Sequence, residues 1–245
     1  MRHFIPLWRR EVSAYLVSPA TYVTMFLVLM VTGWGFWFTA KCSRGDPVRI
    51  DMVLFQPLTL WGMLLIVATV LPMKLLAEEK RSGTIEMLMT APVTEVEVVL
   101  GKYMAALTMF VLIFVPTVAY AFILKKYSAG MELIDMRTVA SGYLVFFLIG
   151  SFYLSVGLLA SSLSSSQIVA AVSSFSALFL LFLAGALSSL TRGKIAAVVA
   201  YVSPFQHILD FSRGVIDTGP VILYLSGVVL MLFMTIKVIE SRRWC

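Results

Sequence analysis

The stretch TVASGYLVFFLIGSFYLSVGLLASSLSSSQIVAAVSSFSALFLLFLAGALSSLT, residues 138–191, contains no charged side chain and no histidine. A helix needs roughly 20 apolar residues, at about 1.5 Å of rise each, to cross the hydrocarbon core of a bilayer. The stretch is therefore long enough for two spanning helices and a turn. Serines cluster at 161–166, where their hydroxyls can cap the ends of both helices, so we place the turn there.

The rest of the chain continues this pattern of uncharged runs between short charged segments. Hydrophobic residues make up 60% of the chain and charged residues only 13%, whereas a soluble domain carries roughly a quarter charged residues. We therefore predict an all-α integral membrane protein, with one domain over residues 1–245. The six predicted spans lie near 19–39, 53–75, 97–123, 138–162, 166–190 and 219–238.

Two shorter regions outside the spans also have helical patterns. Before the first span, Phe4, Trp8, Val12, Tyr15 and Leu16 recur at helical spacing, which predicts an interfacial amphipathic helix; an ordinary basic flank is the alternative. Residues 192–214 are too short to cross, but Ser203-Pro204 can start a helix and Gly214 can end it. We predict short re-entrant helices there on the outer side, with an irregular loop as the alternative.

The most informative polar segment is LAEEKRSGTIEMLMTAPVTEVEVVLGKY, residues 76–103. Ser82-Gly83-Thr84 breaks the helix, an amphipathic turn around Ile85, Leu88 and Met89 follows, and Ala91-Pro92 ends it. Thr94 and Glu97 form a capping box that starts the third span. The pattern predicts a short hinged helix, suited to docking into a groove of a partner protein. A merely solvated connection is the alternative.

The sequence offers little to support several other classes of protein. The uncharged cores of the spans lack the ionisable group that an ion-coupled carrier commonly needs. The Gly-Lys pairs at 101–102 and 193–194 lack the rest of a P-loop, and we identify no catalytic, cofactor-binding or metal-binding residues. His207 and Asp210 read as a surface hydrogen bond or a cap. Basic residues are not clustered as nucleic-acid binding requires.

The segment EEKRSGTIEMLMTAPVT resembles the coupling-helix region of ABC type-2 permeases, particularly the gliding-motility and nitrous-oxide-reductase-maturation permeases. Three further segments resemble that family in the same order. They are WRREVSAYLVSPATYV, SSLSSSQIVAA and SPFQHILDFSRGVID. The resemblance therefore covers nearly the whole chain.

The resemblance implies an exporter-type permease that is not itself an enzyme, in the bacterial cytoplasmic (inner) membrane with both termini cytoplasmic. Two permease copies, or this chain and a related permease, would pair above a dimer of cytosolic ABC ATPases that binds the ATP and Mg²⁺. Membrane lipid is a further expected partner, and an accessory extracytoplasmic subunit is allowed. The lysines and arginines divide almost evenly between the two sides, so the charge pattern barely favours this orientation.

The resemblance also assigns residues to roles. Segment 76–95 would contact the ATPase through Glu78, Glu79, Lys80, Gly83, Thr84, Glu86, Leu88 and Pro92. The outer region would shape a gate through Ser203, Pro204, Phe205, His207 and Arg213. The first and fifth spans would contact the second subunit, and the small side chains of Ala170, Ser173, Ser174 and Ala177 allow close helix approach there. Lipid contact by these small residues is the alternative.

Three competing functions remain open at the sequence level. The first is a non-translocating membrane anchor or mechanotransmission subunit of a larger ATP-driven machine, such as a gliding or enzyme-maturation complex. The second is an ion-coupled carrier, and the third is a membrane enzyme. The substrate is not indicated by any polar group within the spans.

Overall fold

A computed structural model describes residues 4–42, 51–55, 57–83, 94–127, 136–187, 203–215 and 217–241. These residues are helical apart from short turns, and no strand occurs among them. The helices are α1 (Phe4–Val17), α2 (Pro19–Cys42), α3 (Leu58–Arg81), α4 (Glu95–Phe114), α5 (Val118–Tyr127), α6 (Met136–Leu163), α7 (Gln167–Leu187), α8 (Pro204–Ser212) and α9 (Thr218–Ser241). A π-helical turn at Asp51–Phe55 precedes α3, and a 3₁₀ turn at Val115–Thr117 joins α4 to α5.

Five helical stretches within the described residues are long and apolar enough to cross a membrane. They are Pro19–Cys42, Val53–Arg81, Glu95–Lys126, Met136–Leu163 and Thr218–Ser241. The helix α7 is a further apolar helix, whose side chains are described over Gln167–Leu183. The chain is therefore an all-helical, multi-pass membrane protein, as its composition predicts.

The helices α3 and α6 form the centre of the bundle, and three glycines on one face of α6 set the packing distance. A Cβ atom at Gly142 would lie 2.5 Å from the ring of Phe55, and one at Gly150 would lie 2.2 Å from the ring of Phe110. At Gly157 it would lie 2.5 Å from the ring of Pro72. Because these glycines are spaced about two helical turns apart, they give α6 one smooth face for its neighbours.

The outermost helices bury few of their side chains. The helix α2 buries only Thr21, Val28, Thr32 and Gly35, while large side chains such as Phe26 are exposed on its other faces. The amphipathic helix α1 packs on α4, where Leu7 covers Gly101 and the indole of Trp8 donates a hydrogen bond to Thr108 at 3.2 Å. The bundle therefore presents wide apolar surfaces that lipid or another membrane chain must cover.

Several local signals have the predicted structure. The capping box is confirmed, because the Thr94 hydroxyl accepts from the Glu97 N–H and the Glu97 carboxylate accepts from the Thr94 N–H, each at 3.3 Å. The break after the second span is also confirmed, since α3 ends at Arg81 and Gly83 has a φ of 71°. The serine turn falls between Leu163 and Gln167. A helix starts at Pro204 as predicted, and the first half of the re-entrant region lies outside the described residues.

Candidate functional site

The last turns of α3 are shaped by a proline within the helix. Pro72 has no backbone N–H, so it removes one hydrogen bond from the helix, which continues through it to Arg81. Gly157 of α6 packs against this part of α3, since a Cβ there would lie 2.8 Å from the carbonyl oxygen of Ala68. The two helices can approach this closely only because position 157 has no side chain.

One turn beyond Pro72, the hydroxyl of Ser161 enters the hydrogen bonding of α3. It accepts from the backbone N–H groups of Leu76 and Ala77, at 3.2 and 3.1 Å, and donates to the carbonyl of Met73 at 3.0 Å. The Ser161 hydroxyl therefore bonds α3 and does not cap its own helix. The ammonium of Lys80 makes a second link, donating to the carbonyl of Ser162.

A partly buried charge cluster ties the same end of α3 to α1 and α4. Lys102 of α4 is only 1% exposed, and its ammonium lies 2.6 Å from the Glu79 carboxylate and 3.3 Å from the Glu11 carboxylate. The Arg10 guanidinium lies 2.8 Å from Glu11 and 3.9 Å from Glu79. Two cations therefore face two carboxylates, so the charge of the buried Lys102 ammonium is compensated.

The electrostatics of this cluster favour the ionised form of Glu11. Burial by itself raises the pKa of Glu11, but the Lys102 ammonium and the Arg10 guanidinium lower it by more. The pKa of Glu11 therefore lies below its usual value of 4.5. Tyr15 nearby stays a neutral donor, because burial raises its pKa, and its hydroxyl donates to the carbonyl of Leu71 at 2.5 Å.

An open cleft of about 390 Å³ lies beside the charge cluster, between α1 and the end of α3. Glu78 is exposed on its wall, and the Lys74 ammonium lies 4.9 Å from the centre of the Tyr15 ring. The arrangement contains charged and hydrogen-bonding groups that could receive a polar partner surface. Through these contacts the end of α3 is bonded to three other helices, α1, α4 and α6.

Residues 52–239 match the family described as ABC-2 family transporter protein. The chain belongs to this family. The match begins just before α3 and ends within α9, so it includes the charged end of α3 and its contacts with α4 and α6. A search of curated proteins found no match.

Membership makes this chain a permease, the membrane-spanning transport component of an ABC transporter. Members of such a family act in transport and are not themselves catalytic, and in general they work with an ABC ATPase.

The predicted coupling residues divide between described and undescribed parts of the permease. Glu79 and Lys80 anchor α3 to its neighbours, Glu78 lines the cleft, and Gly83 ends the helix in a left-handed conformation. The other four predicted residues, Thr84, Glu86, Leu88 and Pro92, lie outside the described residues.

Sequence reasoning missed Lys102, Glu11 and Ser161 as members of this site. Lys102 lies within the spanning stretch Glu95–Lys126. The third span therefore includes a charged side chain, which directly precedes its uncharged run. The sequence does contain a signal, because a lysine two turns inside an apolar helix must find a partner. It does not indicate which carboxylates those partners are.

The predicted gate residues lie on or beside α8, and most of them are buried. Ser203, Pro204 and His207 are buried, whereas Arg213 is exposed after the end of the helix. The predicted surface position of His207 is wrong, since it is 6% exposed and its Nδ1 lies 2.8 Å from the hydroxyl of Tyr224 on α9. Phe205 packs beside Trp61, with 5.9 Å between ring centres.

The four predicted interface residues lie on two different faces of α7. Ala170 and Ser174 are buried within the permease itself, and the Ser174 hydroxyl donates to the Ala170 carbonyl at 2.7 Å. Ser173 and Ala177 are exposed. Residues four apart share a face of a helix. Ser173 and Ala177 are therefore the two predicted interface residues that another chain can contact.

Proposed function

We propose that this permease is the membrane subunit of an ABC exporter, in which a cytosolic ATPase pushes on segment 76–95 and moves the bundle. The supporting observation is that the end of α3 is bonded to α1, α4 and α6. The Tyr15 hydroxyl links α3 to α1, and the Lys102–Glu79 pair links it to α4. The Ser161 hydroxyl and the Lys80 contact link it to α6. A displacement applied after Gly83 therefore reaches four helices together instead of bending one.

The proposed membrane arrangement has six spans, with α7 as the fifth of them in chain order. The 21 residues of α7 give about 31 Å of helix, enough to cross the hydrocarbon core. With the serine turn and the end of α3 on the cytoplasmic side, both termini are cytoplasmic. The membrane is the bacterial inner membrane, and ATP and Mg²⁺ belong to the partner ATPase.

The proposed assembly is a dimer of permeases above a dimer of ATPases. The helices α2 and α7 carry exposed large apolar side chains such as Trp34 and Val172, as expected of surfaces that meet another membrane chain. The ATPases can shift the equilibrium between permease conformations only if they bind those conformations with different affinity. Contacts that transmit the shift should therefore matter even where they do not touch the ATPase.

Ser161 provides the test, because its hydroxyl is buried between α3 and α6. We expect Ser161→Ala to reduce the stimulation of the co-purified ABC ATPase by about threefold in proteoliposomes. This factor corresponds to the loss of one interhelical hydrogen bond worth about 0.6 kcal/mol. Ser155→Ala is the matched control, since Ser155 is equally buried on α6 but its hydroxyl donates within its own helix, to Phe152 at 2.6 Å. The measurement is the rate of ATP hydrolysis with and without permease.

Equal ATPase stimulation in wild type and Ser161→Ala would contradict transmission through the end of α3. Translocation is tested separately, with inverted vesicles given ATP and a total extract of cellular lipids and small molecules. ATP-dependent accumulation of a compound supports export. Stimulated hydrolysis without accumulation would identify the permease as a non-translocating anchor instead.

A further inference from the structure

An apolar cavity of about 450 Å³ lies between α6, α7, α8 and α9, away from the charged end of α3. Its volume is within the range of roughly 300–1,000 Å³ that is typical of small-molecule sites. The wall is formed mainly by aromatic and aliphatic side chains, among them Phe152, Tyr153, Leu181, Pro204, Tyr224 and Leu230. Such a wall suits a hydrocarbon chain.

The cavity lies deep within the spanning part of the bundle. From Tyr153 to the end of α6 at Leu163 is about 15 Å of helix, and from Tyr153 back to Ser141 is about 18 Å. The Ser141 hydroxyl donates to the carbonyl of Phe211 at 2.7 Å, so the C-terminal end of α8 lies near the start of α6. The N-terminal end of α8, at Pro204, shares the cavity with Tyr153.

The mouth of the cavity faces the surface that lipid covers. Leu230 lines the cavity and is 52% exposed, and its neighbour Val229 on the lipid-facing side of α9 is 67% exposed. A molecule that enters here comes from the bilayer and not from water. This restricts the occupant to membrane amphiphiles.

Two buried hydroxyls lie in or beside the wall of this cavity, since Tyr153 lines it and Ser203 directly precedes the lining residue Pro204. The hydroxyls of Tyr153 and Ser203, which are 0% and 2% exposed, have no hydrogen-bond partner in the part of the chain that the structure describes. Ser203 holds the N-cap position of α8, yet its hydroxyl does not cap the helix. The neighbouring Tyr224 hydroxyl is already engaged by His207.

An unsatisfied hydroxyl at this depth is costly, since no water is available to replace the missing partner. Both hydroxyls can donate, and the N-terminal end of the nine-residue helix α8 adds a positive partial charge. These three features favour an oxygen acceptor. A carbonyl or carboxylate oxygen at the end of a hydrocarbon chain meets all of them.

We propose that this cavity binds the acyl chain of a membrane amphiphile, with its carbonyl or carboxylate oxygen accepting hydrogen bonds from Tyr153 and Ser203. An ester-linked phospholipid and a free fatty acid share this chemistry. The site does not depend on the coupling function proposed above, and its test needs neither ATP nor a partner chain.

The test uses phosphatidylethanolamine and phosphatidylglycerol vesicles that contain the intact permease and a photoactivatable probe. One arm carries a phospholipid with a diazirine in its acyl chain, and the other carries a diazirine fatty acid. We expect saturable labelling of the α9 peptide around residues 223–231. Tyr153→Phe should raise the half-saturating mole fraction about two- to tenfold, as expected for one lost hydrogen bond. Tyr143→Phe is the matched control, because its hydroxyl lies on the same helix but pairs with Thr117 at 3.1 Å.

A second pair of variants keeps the test independent of the hydroxyls. Leu230→Trp should fill the cavity and abolish saturable labelling, whereas Val229→Trp, on the neighbouring exposed position, should preserve it. Saturation in either arm supports the site and identifies its natural class of ligand, ester or acid. Labelling that rises linearly with probe in both arms, and equally in all four variants, would show ordinary lipid contact and overturn the proposal.

Discussion

A lysine inside a membrane helix is stable only when opposite charge surrounds it, and Lys102 meets this condition. Removing one partner from a buried ion pair costs about 3–5 kcal/mol, because the other charge is left uncompensated. Here one ammonium serves two carboxylates on two other helices, Glu79 and Glu11. A sequence reader can see that Lys102 needs a partner, but Glu11 is far away in the chain and only the packed bundle brings them together.

The lowered pKa of Glu11 predicts how acid acts on this cluster. Its carboxylate is stabilised in the folded state, so this contribution is complete above the usual pKa of 4.5 and is lost as the pH falls through the lower folded value. We expect the thermal midpoint of the purified permease to fall below about pH 4.5, and to fall less in Glu11→Gln. Tryptophan fluorescence during heating measures this. Glu240→Gln, which removes an exposed partner of Lys237, should keep the wild-type profile; an unchanged profile in Glu11→Gln would contradict the assignment.

At the scale of single elements, the end of α3 combines features that differ in how visible they are in sequence. The Thr94 capping box and the Gly83 break depend on neighbouring residues, so the sequence predicts both. The bonds from Ser161 to α3 depend on how two distant helices are aligned, and the serine cluster suggested only a turn. Local backbone chemistry can thus be predicted here, while interhelical partners cannot.

The packing of Gly157 against Pro72 predicts a strong effect of one added methyl group. We expect Gly157→Ala to destabilise the permease by about 1–3 kcal/mol, since the new Cβ would meet the Pro72 ring and the backbone oxygen of Ala68, which cannot move aside cheaply. Gly62→Ala is the matched control on α3, because nothing lies within 4 Å of its Cβ position. It should be neutral or stabilising by up to about 1 kcal/mol. Unfolding in detergent measures both, and equal stabilities would refute close contact at Gly157.

At the scale of the whole molecule, composition predicts the membrane and the helices but not the faces that other chains cover. Ala170 and Ser174 were grouped with Ser173 and Ala177 as small residues, yet the bundle buries the first pair and exposes the second. Only the rotation of α7 about its axis separates them, and that rotation is set by contacts with α3 and α6. A small-residue pattern alone cannot supply it.

The proposed dimer predicts which exposed face approaches a second copy. In a chain with Cys42 and Cys245 changed to serine, we expect Ala177→Cys to form an intermolecular disulfide in oxidised membranes. A disulfide needs Cα atoms within about 7 Å. The matched control is Val229→Cys on α9, outside the proposed interface, which should stay uncrosslinked. Non-reducing gels show the outcome. Equal crosslinking at both positions would mean random collision, and none at Ala177→Cys would place the interface elsewhere.

The order of Glu11, Glu79 and Lys102 along the chain also bears on how the permease is made. A lysine at the centre of a membrane helix costs about 2.5–3.5 kcal/mol on insertion, which is an upper bound for Lys102, two turns inside its helix. Because synthesis runs from the N-terminus, both carboxylates have left the ribosome before the third span emerges. We therefore expect the nascent helix α4 to meet both counter-ions as it inserts, so that an early segment of the chain assists the insertion of a later one.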